Sequence, residues 1–236
     1  MLEAGMPIDL ICLDADDTLW HNMRHFQATE EALLAVLQPF AEARIARETL
    51  EACEIRNLAL YGYGAKGFTL SMIETALELG GDSLPPAALK KILEAGRVLL
   101  RHPVQLFDGI EDTLTRLAER GRLVLVTKGD LLHQETKLAA SGLGDRFSGI
   151  EIVSDKNAET FRKLFARYGV VPGQAVMAGD SMRSDILPAL EAGAWAAFVP
   201  QQQVWSHEAA AAPEAHPRFR QLARLAELPD WIDSLG

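Results

Sequence analysis

The sequence predicts an α/β fold: a Rossmann-like parallel sheet core with an inserted all-helical block. Three observations predict it. Ile8 to Leu13 is a short apolar run with β-branched residues that leads straight into acids, the pattern of a buried parallel strand. From Pro103 onward strand-like and helix-like segments alternate, as they do in a parallel sheet covered by helices. Between these two regions every periodic stretch is helical.

The elements follow in order. The first strand stops at Asp14-Ala15-Asp16-Asp17. Phe26, Leu33, Leu37 and Phe40 then keep helical spacing from about His25, with Pro39 marking the end. A second helix is predicted over about 45–60, with Leu50, Cys53, Asn57 and Leu60 on one face. Tyr61 to Gly67 reads as a glycine-rich loop that carries Lys66. Helical character resumes over 68–79 and stops at Gly80-Gly81-Asp82. Pro85-Pro86 opens a fourth helix with Leu89, Ile92, Leu93, Gly96 and Leu100. Beyond Pro103, helices over 109–120, 130–141, 157–168 and 182–192 alternate with strands at 122–127, 150–153, 174–178 and 194–199. Ala209 to Pro217 reads as a loop, and a last helical stretch near Trp231 is expected to pack on the core. The division is residues 1–21 with 102–236 for the α/β core, and 22–101 for the helical insertion.

Composition bounds the partners. The chain has 236 residues, 48% hydrophobic and 24% charged, with a net charge of -10. That balance argues against nucleic acid or an anionic membrane as partner, and leaves room for a small anionic substrate at a locally positive site. Cys12 and Cys53 lack metal-ligand spacing and read as buried free thiols, consistent with a reducing cytoplasm. Met1 to Pro7 shows no secretory signal, and no apolar run approaches membrane-spanning length. The expectation is a cytoplasmic protein, monomer or homodimer.

Chemistry gathers at the strand ends. Asp14 and Asp16 lie two apart and can face one ligand, while Asp17 is expected to face elsewhere. Packed carboxylates repel, and a divalent cation offsets that repulsion. The second strand ends in Thr127-Lys128-Gly129-Asp130, a hydroxyl followed by backbone amides at a helix start, which suits an anion. Lys156 follows the third strand, and Gly179-Asp180-Ser181 ends the fourth, with Asp185 five residues after Asp180. In a parallel sheet these ends share one rim, where ligands bind. Together they offer carboxylates to a hard cation, and Thr127 and Lys156 to a phosphoryl oxygen.

This set resembles the haloacid dehalogenase-like superfamily in its Mg²⁺-dependent phosphatase branch. The family's opening D-x-D-x-T stands as Asp14-Ala15-Asp16-Asp17-Thr18. Its strand-ending Ser or Thr is matched by Thr127, and its lysine ahead of a helix by Lys156. Its G-D-x-x-x-x-D is matched by Gly179, Asp180 and Asp185. Asp17 departs from the glycine that many members carry. The helical insertion looks like the family's α-helical cap, placed as in phosphoglycolate phosphatase-like members.

The resemblance implies roles. Asp14 is the nucleophile that forms an aspartyl-phosphate. Asp16 is the acid for the leaving alkoxide and then the base for water. Asp14, the Asp16 carbonyl and Asp180 hold Mg²⁺, with Asp185 an outer or orienting ligand. Thr127 and the amides of Lys128 and Gly129 hold phosphoryl oxygens, and Lys156 pairs with Asp14 and the phosphoryl group. Asp130 is a helix cap rather than a ligand. Lys66 belongs either to a plain connector or to a lid that reads substrate. His21 and His25 are polar surface or flap residues, since the mechanism needs no histidine. The implied activity is phosphomonoester hydrolysis of a small phosphorylated metabolite. A phosphomutase would keep the same motifs, and a non-catalytic phosphate-binding module is expected to have lost Asp14 or Asp16. A dehalogenase would lack Asp16 and the fourth acidic motif.

Overall fold

The computed structural model of the chain describes residues 7–203 and 205–235, so most of the Met1–Pro7 segment lies outside the described residues. It contains two compact units. One comprises Met1–His21, Val104–Lys128 and Glu135–Gly236, and the other Asn22–Pro103 with Gly129–Gln134.

The first unit is built on a six-stranded, all-parallel sheet. Its strands are β1 (Leu10–Leu13), β2 (Arg122–Lys128), β3 (Gly149–Val153), β4 (Ala175–Gly179), β5 (Trp195–Phe198) and β6 (Phe219–Gln221), in the order β3-β2-β1-β4-β5-β6. β1 is buried along its whole length, which is why its residues are apolar without alternation. The alternation appears instead in which side each residue serves. Ile11, Leu13, Leu123, Leu125, Val176 and Ala178 pack into one core layer. Leu10, Cys12, Val124, Val126, Ala175 and Met177 pack into the other. α5 (Ile110–Ala118) and α9 (Leu228–Asp233) close the first layer through Leu114, Leu117, Leu228 and Ile232. α7 (Ala158–Tyr168) and α8 (Leu187–Glu191) close the second through Phe161, Phe165, Ala189 and Leu190. Each fully buried Leu or Phe contributes about 1.5–3 kcal/mol.

Register aligns the strand ends. Leu13 pairs with Leu125 of β2 and with Ala178 of β4, and the Asp14 amide donates to the Ala178 carbonyl at 2.9 Å. Asp14, Thr127 and Gly179 therefore sit within two residues of a common level. Lys128 pairs with Val153, so Lys156 lies three residues past the same edge.

The second unit is helical: α1 (Met23–Leu37), α2 (Ala43–Tyr61), α3 (Ala65–Gly80) and α4 (Pro86–Leu100). Leu33, Leu37, Leu50, Met72, Ile92 and Leu99 form its core. A Cβ at Gly96 would overlap the Thr69 side chain, so glycine lets α4 approach α3 closely. The six residues Gly129–Gln134, including the start of α6 (Leu131–Ser141), group with this unit. Among the described residues no helix is long and apolar enough to cross a membrane. Cys12 and Cys53 are buried free thiols, as expected, Cys12 among apolar residues and Cys53 among the polar groups of Arg56, Asn57 and Glu74.

Four readings need correction. The Tyr61–Gly67 loop is shorter than predicted, because α3 begins at Ala65 and takes Lys66 into its first turn. The first helix ends at Leu37, leaving Phe40 past its end. The helix predicted over 182–192 is a wide turn, Met182–Ile186, followed by α8. There the Ile186 amide reaches back five residues, to the Ser181 carbonyl at 3.2 Å. Pro188 lacks the N–H that would continue the ordinary four-residue ladder here. Finally, the tail contains the strand β6, whose three residues are too few to show a period.

Candidate active site

Asp14 follows β1 and is buried. Its Oδ1 accepts from Lys156 Nζ, and its Oδ2 accepts from Thr18 Oγ1 at 3.2 Å. Lys156 Nζ also donates to Asp185 Oδ1 at 2.6 Å, with its side chain only 2% exposed. The other Asp185 oxygen accepts from the Ser181 amide at 3.0 Å, so the loop after β4 closes on itself around this carboxylate. A Cβ at Gly179 would overlap the Asp185 carboxylate, which accounts for glycine at that strand end.

Asp14, Asp180 and Asp185 present carboxylate oxygens within 4.8 Å of one another. They can carry three negative charges against the ammonium of Lys156, and the surplus must be relieved by a proton or a cation. Accordingly, burial, reinforced by Asp185, pushes the Asp14 carboxyl up to about 7 despite Lys156. Burial and the neighbouring Asp14 and Asp185 raise Asp180 well above the usual carboxylate range. Burial works against the charge of Lys156, but Asp14 and Asp185 outweigh it and hold the ammonium above an ordinary lysine. An all-oxygen cluster with excess negative charge fits a hard divalent cation such as Mg²⁺.

Asp16 lies beyond the end of β1, in a turn that doubles back to Trp20. The Asp17 amide donates to the Trp20 carbonyl at 2.8 Å, and Asp17 has φ 57°. That is the left-handed region glycine occupies freely and aspartate tolerates, which explains how Asp17 stands where glycine is common. In keeping with the expectation for Asp17, the carboxylates that come together are Asp14, Asp180 and Asp185. Strand alternation ends at Leu13, and the buried Asp17 adds its charge to the field at Asp180. Asp16 itself accepts from Trp20 and from Lys137. Trp20 Nε1 donates to Oδ1 at 2.7 Å, and Lys137 Nζ reaches both oxygens at 2.6 Å. Lys137 lies on α6 and is buried, and the sequence reading missed it. A lysine on a helix gives no sign of turning inward; its spacing of 121 residues from Asp16 carries no local signal.

Thr127 is buried at the end of β2. The Lys128 side chain turns to Ser184 Oγ and Glu208 Oε1, each at 2.7 Å. Gly129 falls in the stretch that groups with the helical unit. So does Asp130, which accepts from the His133 amide at 3.0 Å, the helix cap expected of it. Lys66 Nζ donates to both Asp130 oxygens at 2.9 Å, and that bond foremost holds the Asp130 carboxyl below its usual range. His21 packs against Phe107, and His25 stacks on His102 at 3.9 Å between centroids. The structure thus brings Asp14, Lys156, Asp180 and Asp185 together and supplies Asp16 with partners of its own.

A parallel sheet that sets a buried lysine among three carboxylates on one rim defines an acid-rich site of the doubly wound α/β class. Comparison with known proteins makes the assignment specific. The haloacid dehalogenase-like hydrolase family pattern matches residues 8–193, and the chain belongs to that family. It is 30% identical to phosphoserine phosphatase of Thermus thermophilus, over 80% of this chain and 88% of that protein. It is also 30% identical to N-acylneuraminate-9-phosphatase of Mus musculus, over 58% of this chain and 55% of that one. A haloacid dehalogenase-like family hydrolase from Xanthomonas campestris superposes with a TM-score of 0.88 at 35% identity, covering 100% of this chain and 94% of its own.

Proposed function

We propose that this chain is a Mg²⁺-dependent phosphomonoester hydrolase acting on a small phosphorylated metabolite through an aspartyl-phosphate on Asp14. The observation that carries the reading is the buried constellation of Asp14 with Lys156, set within 4.8 Å of Asp180 and Asp185. The phosphatase relatives support the same class.

Asp14 attacks phosphorus, and the bond to the leaving alkoxide breaks as the Asp14–phosphorus bond forms. Asp16 gives its proton to the alkoxide, then takes one from the water that cleaves the acyl phosphate. Trp20 and Lys137 bond the charged carboxylate, so they hold Asp16 for the second step, in which it takes the proton. Lys156 keeps Asp14 aimed and shares the charge of the phosphoryl group. Thr127 and the amides of Lys128 and Gly129 hold the remaining phosphoryl oxygens. Asp14, Asp180 and the Asp16 carbonyl would hold the Mg²⁺, with Asp185 orienting Lys156 and the Ser181 amide beside them. When bound, the cation neutralises the surplus charge that otherwise favours protonation of the nucleophile. Residues 22–101 serve as the cap in this reading, with Lys66 a substrate-binding residue for which Asp130 competes. A dehalogenase has no use for Asp16 and Asp180, which weighs against that reading.

The test is phosphate release from a generic aryl phosphate by wild type and Asp14→Asn, with Mg²⁺ and then with excess chelator. Release that needs both Mg²⁺ and Asp14 supports the proposal. Absence of release together with absence of Mg²⁺ binding overturns it. Mg²⁺ binding without release, accompanied by interconversion of phosphate isomers, would favour a mutase.

A further inference from the structure

Glu208 lies past the family-matched residues 8–193, in a short turn, Ser206–Glu208, that follows β5. Its side chain is 14% exposed and makes three hydrogen bonds. Lys128 Nζ donates to Oε1 at 2.7 Å. Ser184 Oγ donates to Oε2 at 2.5 Å, and Ser181 Oγ donates to the same oxygen. Ser181 Oγ in turn accepts from the Ser184 amide at 2.9 Å, and Lys128 Nζ also donates to Ser184 Oγ. One carboxylate therefore ties the last residue of β2 to the loop that leaves β4. Those two strands flank β1 on either side in the sheet. Of the tied residues, Lys128 adjoins Thr127, Ser181 adjoins Asp180 and Ser184 adjoins Asp185.

We propose that Glu208 is a positioning residue, clamping the ends of β2 and β4 around Asp14 and holding the Lys128 ammonium away from the Asp14–Asp180–Asp185 cluster. The inference rests on the Mg²⁺-dependent reading above. Without that carboxylate, Lys128 loses its ion pair with Glu208, and its ammonium at the same strand-end rim adds positive charge that opposes a divalent cation at the acidic cluster. Ser181, freed from Oε2, would loosen the loop between Asp180 and Asp185. A plain structural tether predicts only lost stability. The clamp predicts a metal-site effect that depends on the charge of Lys128.

Mg²⁺ binding by calorimetry on the full chain separates the two, alongside thermal unfolding. Glu208→Gln is expected to weaken Mg²⁺ binding about tenfold, in the range seen when supporting partners of metal ligands are removed. Lys128→Met with Glu208→Gln is expected to recover most of that loss, because the competing ammonium is gone. Glu208→Asp keeps the charge but shortens the reach, and is expected to fold and to bind Mg²⁺ severalfold more weakly. Wild-type Mg²⁺ affinity in both single variants overturns the proposal. An equal loss in Glu208→Gln and the double variant overturns the ammonium competition. Absence of Mg²⁺ binding by the wild type overturns the parent reading and this one with it.

Discussion

Lys156→Met is the most informative single change. The side chain is 2% exposed and donates to Asp185 at 2.6 Å and to Asp14. At 2.6 Å and an effective dielectric of about 20, one such pair is worth roughly 6 kcal/mol before desolvation. Burying the ammonium takes back several kcal/mol, so two pairs do not sum to twice that figure. Removing one partner of a buried ionic cluster costs about 3–5 kcal/mol, because the carboxylates left behind are uncompensated. Methionine fills similar volume, so the loss is electrostatic rather than a cavity. Urea unfolding of chelator-treated protein is the assay, with Lys163→Met, whose side chain is 73% exposed, as the control. The control is expected to stay within about 0.5 kcal/mol of wild type. Added Mg²⁺ is expected to restore part of the Lys156→Met loss, since it supplies the missing positive charge. A loss below about 1 kcal/mol in the absence of Mg²⁺ would refute the reasoning, by showing that the cluster does not depend on this ammonium.

Further outcomes follow from the same geometry. Asp16→Asn is expected to lower kcat by about 10²–10⁴ with KM little changed, measured on an aryl phosphate. Lys137→Met leaves Asp16 with the Trp20 bond but without its ion pair, and is expected to lower kcat by roughly tenfold with unfolding temperature as the check on folding. Asp130→Ala removes a helix cap and the Lys66 partner, and should cost about 1 kcal/mol in urea unfolding. Burial, with Glu30 and Glu51 nearby, raises Glu54 to about 8. A raised carboxylate binds its proton more tightly in the folded state, so its stabilising effect is complete below the unfolded value and is lost as pH rises toward 8. Glu54→Gln should therefore unfold less readily than wild type at pH 9, by roughly 1–2 kcal/mol after discounting partial exposure, and show no such gain at pH 4.

The legible parts of this chain were those whose signal is local. β1 is legible as a continuous apolar run, and α1, α2 and α4 as helically spaced apolar positions, because burial on one or two faces constrains neighbours in sequence. β6 did not, since three residues at an edge show no period. The wide turn at Met182–Ile186 was hidden too, because its cause is a missing amide at Pro188 rather than a hydrophobic pattern.

By itself, the sequence determined which residue types end the strands: Asp14, Thr127, Lys156, Asp180 and Asp185. A parallel sheet sends all such ends to one rim, so their convergence could be read without coordinates. Only the tertiary structure decided their partners. Lys137 meets Asp16 across 121 residues and Glu208 meets Lys128 across 80, because strand order and helix rotation bring them together. A buried charge needs an opposite charge within hydrogen-bond reach, but that demand names no particular residue. The choice falls to whichever side chain the packed fold delivers to the place.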